Sequence, residues 1–81
     1  MKWLIDVRTP EEFAELHAPG ALNTPLEDME TGRLGSLTNA FQHDPIDLYC
    51  RTGRRSERAK SILENLGFTR VVNRGGLRDV L

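Results

Sequence analysis

One cysteine, Cys50, stands among 81 residues, so no disulfide can close within the chain and no thiol framework can replace a hydrophobic core. Histidine and cysteine form no cluster with metal-ligand spacing, and neither a metal nor another cofactor is expected. Charge of neither sign dominates. The 11 basic and 12 acidic side chains leave a net charge of −1, without the basic excess of a nucleic-acid binder. No apolar run approaches the roughly 20 residues of a membrane span, and Met1-Lys2-Trp3-Leu4-Ile5-Asp6 lacks the apolar stretch of a signal peptide. Such a chain is expected in the cytoplasm, or in the periplasm if a leader has been removed, with neither nucleic acid nor membrane as partner. Repeats and low-complexity segments are also missing. What remains is 38% hydrophobic content, enough for a single small domain over residues 1–81, close to the size below which a core needs outside help.

Positive charge is local instead. It gathers in Cys50-Arg51-Thr52-Gly53-Arg54-Arg55-Ser56, between a short apolar strand, Ile46-Asp47-Leu48-Tyr49, and a helix whose Ala59, Ile62, Leu63 and Leu66 share one face. The cysteine therefore sits at a strand's carboxyl end, facing a helix N-terminus. Ligands of open α/β sheets bind in that crevice, and unpaired N–H groups at a helix start attract anions. Arg54 and Arg55 occupy a position where the helix dipole disfavours cations by roughly 0.3–1 kcal/mol each. Three arginines so placed make sense if the loop must hold negative charge, on the sulfur or on a substrate. A free cysteine ionises at about pH 8.5, and such surroundings lower that value to about 3.5–7.5. The competing reading is an inert buried cysteine beside solvated arginines.

Along the rest of the chain, Trp3-Leu4-Ile5-Asp6-Val7 reads as a strand buried on both faces. Thr9-Pro10-Glu11-Glu12 then carries helix-start signals: Thr9 as N-cap, Pro10 in the first turn and Glu12 closing a capping box. Phe13 and Leu16 are expected to face inward. The helix ends by Pro19-Gly20, and Ala21-Leu22-Asn23 forms a brief strand. Between Glu27 and His43 the spacing of Leu34, Leu37 and Phe41 predicts one helix, although Gly32 and Gly35 interrupt it. After the Cys50 helix, Gly67 suits a left-handed cap with Phe68 packing back on Leu63. Arg70-Val71-Val72-Asn73 is a last strand, followed by Gly75-Gly76 and a short helix or turn. This alternation predicts an α/β fold with a small, mostly parallel sheet of four to five strands flanked by helices.

Leu4-Ile5-Asp6-Val7-Arg8, His17-Ala18-Pro19-Gly20-Ala21-Leu22-Asn23, Cys50-Arg51-Thr52-Gly53-Arg54-Arg55-Ser56 and Gly75-Gly76-Leu77 occur in the order seen in rhodanese domains, and the chain resembles that family over nearly its whole length. The likeness is to small single-domain sulfurtransferases. It implies that Cys50 takes a sulfane sulfur from thiosulfate or a similar small anionic donor, becomes a persulfide, and passes the sulfur to cyanide, a small thiol or a protein acceptor. Backbone N–H groups of a six-residue ring, Cys50 to Arg55, would cradle the outer sulfur, with Gly53 supplying the conformational freedom. Arg51 and Arg55 match substrate-contacting positions; Thr52 and Arg54 complete the loop. The resemblance also places Asp6 near the site, gives His17 a role in the fold, and makes Gly75, Gly76 and Leu77 the pocket wall. Arg8 is expected to pair with Glu11 or Glu12, and His43 to lack a partner. Related phosphatases place five residues between cysteine and the phosphate-clamping arginine, where this chain has Ser56, so phosphatase or arsenate-reductase chemistry is the minor enzymatic alternative. The non-enzymatic alternative is a sulfur-sensing or sulfur-carrier module. Against the family pattern, this chain lacks the strand and helix that many relatives carry before Asp-Val-Arg, and Val80 replaces a frequent tryptophan. A monomer is expected.

Overall fold

Strand β1 spans Trp3–Asp6 and hands the chain to helix α1, Pro10–Glu15, in a computed structural model that describes all 81 residues. The start of α1 is fixed locally. Thr9 Oγ1 accepts from Glu12 N–H at 3.2 Å, and Thr9 N–H donates to the Glu12 carboxylate at 3.1 Å, which satisfies two of the N–H groups a helix start leaves open. After α1 come β2 (Leu22–Asn23), α2 (Leu26–Glu30), a 3-10 turn (Gly35–Asn39), β3 (Ile46–Cys50), α3 (Arg54–Asn65), β4 (Val71–Gly76) and α4 (Leu77–Val80). All four strands are parallel, in the order β2-β1-β3-β4. The site-bearing strand β3 is thus central and buried along its whole length.

Strand alternation divides the interior into two layers. Trp3, Ile5 and Val7 of the first strand region join Ile46, Leu48 and Cys50 on one face, packed with Met29, Leu37, Ala59, Leu63 and Val71. The opposite face is smaller: Tyr49 packs with Ala18 and Ala21, and Leu4, Phe13, Leu77 and Val80 close around them. The Tyr49 hydroxyl accepts from Ala18 N–H at 3.0 Å, so the His-Ala-Pro-Gly turn is anchored to the sheet by a buried bond. His17 serves that same turn, stacking on Phe13 with ring centroids 3.7 Å apart and placing Nδ1 2.7 Å from the Phe13 carbonyl.

Several expectations need correction. The segment expected as one helix from Glu27 to His43 is instead α2 and a 3-10 turn, because Gly32 and Gly35 both take positive φ, +86° and +57°, which no α-helix accommodates. Leu37 is still fully buried, but Phe41 is 77% exposed, since the break rotates it off the shared face. Leu16 is 55% exposed, not inward-facing; α1 ends at Glu15, and Leu16 takes extended geometry. The last strand runs on through Gly75-Gly76, and His43 does have a partner, Thr69 Oγ1 at 2.7 Å. At the end of α3 the expected cap forms. Phe68 N–H reaches the Leu63 carbonyl and Gly67 N–H the Glu64 carbonyl, the paired bonds of a Schellman motif.

Candidate active site

A register irregularity between β3 and β4 sets Cys50 opposite Gly76 and lifts the cysteine to the sheet's carboxyl edge. Gly53 then turns the chain into α3 with φ +93°, a conformation that side chains rarely tolerate. The turn brings Gly53 N–H to 2.9 Å from Cys50 Sγ. Its carbonyl is held in turn by Asn73 Nδ2 at 2.9 Å, while Asn73 Oδ1 accepts from Gly75 N–H at 2.9 Å. Asn73 thereby ties the cysteine loop to β4. Gly76 is required by close approach, because a Cβ there would collide with the carbonyl oxygen of Arg51.

Cys50 is 1% exposed and packs against the larger apolar layer. Burial alone pushes such a thiol up, towards an inert neutral state. Here the opposing contacts prevail. The Ser56 hydroxyl and the backbone N–H groups of Ser56, Thr52 and Gly53 favour the charged sulfur, and together they hold its pKa below the ordinary value. The thiol therefore has an apolar floor and a roof of N–H donors, an arrangement that favours a thiolate without exposing it to water.

The arginines divide into engaged and free. Arg8 pairs with Asp6, not with Glu11 or Glu12: Nε lies 3.0 Å from both carboxylate oxygens and Nη2 2.7 Å from one. Asp6 also accepts from Arg8 N–H at 2.8 Å, and the guanidinium lies 5.7 Å from the Tyr49 ring centroid. Arg8 lies just beyond the end of β1, two residues from Asp6, so this pair was available within the motif itself. Glu12 takes Arg55 instead, with Nη1 at 2.7 Å and Nη2 at 3.1 Å from its two oxygens. The Arg55 guanidinium, with Thr9 assisting, holds the Glu12 carboxyl at about 2. Arg55 thus bolts the first turn of α3 to α1, and its fork is filled.

Beside the loop lies a cleft of about 470 Å³ lined by Arg8, Arg51, Arg78, Gly76, Leu77 and Leu16, with the carboxylates of Glu12, Glu15 and Asp79 also on its wall. Arg51 and Arg78 are exposed and pair with no carboxylate. They are the cleft's free cations. Thr52 and Arg54 are exposed outside it, and Gly75 shapes the loop without lining the cleft. Sequence reasoning missed Asn73, Arg78 and the part played by Ser56. Arg78 had a usable signal, a cation two residues after Gly-Gly at a cleft edge, whereas the Asn73 bonds depend on strand pairing far from Cys50 in sequence.

A parallel sheet that presents a lone thiol under a cap of helix-start amides defines the class: an α/β domain with a candidate cysteine nucleophile. The profile of the rhodanese-like domain matches residues 1–80, and the chain belongs to that family. It is 40% identical over 76 residues to thiosulfate sulfurtransferase PspE of Escherichia coli, covering 94% of this chain and 71% of that protein. It is 38% identical over 77 residues to the putative sulfur carrier protein YrkF of Bacillus subtilis, covering 94% of this chain and 40% of that one. Among solved structures, a rhodanese with anions from E. coli superposes with a TM-score of 0.85 at 38% identity, over 99% of this chain and 92% of that one.

Proposed function

We propose that the protein is a sulfurtransferase of the thiosulfate type, in which the Cys50 thiolate takes up a sulfane sulfur as a persulfide and passes it to a thiophilic acceptor. The observation that carries this reading is geometric: the Cys50 sulfur sits at the carboxyl end of β3 with Gly53 N–H aimed at it from 2.9 Å, and the Ser56 hydroxyl and the loop N–H groups favour its charged form. Attack on a sulfane sulfur needs an ionised nucleophile, and N–H donors gathered around that sulfur can also stabilise charge on the outer atom of a persulfide. Family membership over residues 1–80 supports the same chemistry.

Arg51 and Arg78 draw the anionic donor into the cleft, and Arg54 adds to the positive field from outside it. Arg55 acts through Glu12 by fixing the loop, and Asp6–Arg8 forms a rigid buried wall behind it. Cyanide, a small thiol or a protein thiol can serve as acceptor. Steady-state formation of thiocyanate from thiosulfate and cyanide tests the reading. Activity is expected with the unaltered protein and none with Cys50→Ser. Arg51→Ala and Arg78→Ala are each expected to raise KM for thiosulfate about threefold to tenfold, the effect of losing one partly screened cation, with a smaller change in kcat. Absence of thiocyanate with the unaltered protein would sink the enzymatic reading.

The near-complete shielding of the sulfur gives weight to a second reading, a sulfur carrier that loads fully and discharges slowly to small acceptors. Complete loading with turnover too slow to account for catalysis would favour it. Phosphatase chemistry fits poorly, because the sixth position after Cys50 is Ser56 and Arg55, one residue short of it, is occupied by Glu12. No Cys50-dependent hydrolysis of an aryl phosphate is expected.

A further inference from the structure

Ser56 Oγ is the one buried side-chain oxygen or nitrogen in the molecule without a hydrogen-bond partner, on a residue that is 0% exposed. An unpaired hydroxyl in such a place is unfavourable. Alanine would fill the space without that penalty and with better helix propensity, so the fold itself gives no reason for serine. The residue stands in the first turn of α3, three positions after Gly53, whose N–H lies 2.9 Å from the Cys50 sulfur, and its hydroxyl and N–H favour the charged form of that sulfur. A neutral thiol is a weak acceptor, whereas a thiolate makes a charge-assisted bond roughly twice as strong. A charged sulfur would supply the partner that the hydroxyl lacks.

Resting on the persulfide reading above, we propose that the Ser56 hydroxyl is a catalytic hydrogen-bond donor to Cys50 Sγ, engaged whenever that atom carries charge. In sulfur uptake the thiolate attacks the sulfane sulfur of thiosulfate. The new S–S bond forms as the donor's own S–S bond breaks, and sulfite leaves with the bonding pair. Negative charge then rests on the outer sulfur, within reach of the loop amides, and Ser56 is released. In discharge, cyanide attacks the outer sulfur, a C–S bond forms, the Sγ–S bond breaks, and its electron pair returns to Sγ. Thiocyanate departs and Ser56 stabilises the thiolate leaving group. The hydroxyl thus serves the inner sulfur at the two ends of the cycle, and the amides serve the outer sulfur between them.

The test compares Ser56→Ala with the unaltered protein in three measurements: alkylation by iodoacetamide as a function of pH, single-turnover discharge of a thiosulfate-loaded protein to cyanide, and thermal unfolding. For Ser56→Ala the alkylation midpoint is expected to move to higher pH. Discharge should slow about tenfold or more, the size of one hydrogen bond to a charged group, including at pH values where the thiol is fully ionised. Thermal stability should be unchanged or higher. An alkylation profile and a discharge rate equal to those of the unaltered protein would overturn the proposal, and a lower melting temperature beside them would assign Ser56 to packing. If Ser56→Ala does not fold, Ser56→Gly carries the same measurements. Failure of the unaltered protein to take sulfur from thiosulfate would defeat the persulfide reading instead, while the alkylation profile would still decide whether Ser56 stabilises the thiolate.

Discussion

Replacing Glu12 by Gln separates two roles that one ion pair could hide. Gln at the third position of α1 can keep the capping interaction with Thr9, so the substitution removes the charge facing Arg55 and little else. The Arg55 guanidinium holds the Glu12 carboxyl at about 2 instead of 4.5, which corresponds to a gross linkage of about 3.4 kcal/mol. The Arg55 side chain is 35% exposed, so solvent screening reduces the net contribution to about 1–2 kcal/mol. Because the folded-state value is depressed, that stability is present above pH 4.5 and is lost as pH falls towards 2. At pH 7 Glu12→Gln should therefore lower the melting temperature by roughly 5–15 °C, at about 4–8 °C per kcal/mol for a domain of this size. The gap between the two proteins should narrow between pH 5 and pH 3. Circular-dichroism melts across that range provide the assay, and a cycle with Arg55→Gln should return a coupling of about 1–2 kcal/mol. Thiosulfate kinetics complete the test: Arg55 acts by holding the loop, so Glu12→Gln should lower kcat without improving KM. A melting temperature within about 1 °C of the unaltered protein, or a marked fall in KM on freeing Arg55, would refute this reasoning.

Two further substitutions probe the loop from the β4 side. Asn73→Ala removes the donor to the Gly53 carbonyl and the acceptor for Gly75 N–H; a destabilisation of about 1–3 kcal/mol in urea unfolding is expected, together with an upward shift of the Cys50 alkylation midpoint as the Gly53 amide loses its aim. Gly76→Ala places a methyl group against the Arg51 carbonyl, and overpacking of backbone should cost about 1–3 kcal/mol and more than tenfold in sulfurtransferase activity, whereas the same change at Gly20, where φ is +82° but no atom lies close, should lower stability through backbone strain and leave activity intact.

What could be read along the chain was whatever is decided locally. The Thr9–Glu12 capping box, the Gly67–Phe68 cap, the apolar run of β3 and the helical spacing after Cys50 each depend on residues a few positions apart, and each is found where the pattern placed it, except that Leu66 caps α3 and is exposed instead of sharing its buried face. Apolar spacing from Leu34 to Phe41 misled because two left-handed glycines outweigh periodicity. The site was legible to the same degree. Cys50 and its turn follow from strand, glycine and helix start in sequence order. The partner of Arg8 was also local, since Asp6 stands two residues away, but the partner of Arg55 depends on the spatial neighbourhood, with Glu12 reached across 43 residues. Asn73 reaches Gly53 across 20. Three arginines within five residues looked like one anion site, yet the fold gives them different tasks, with Arg51 at the cleft, Arg54 in solvent and Arg55 bound to Glu12.

The most direct measurement is the intact mass of the protein after thiosulfate treatment under anaerobic conditions, before and after addition of cyanide. The expected result is a gain of one sulfur atom per chain, mapped to Cys50, absent in Cys50→Ser and removed by cyanide with release of an equal amount of thiocyanate. An unchanged mass in the folded, unaltered protein would contradict the assignment of Cys50 as the sulfur-accepting nucleophile.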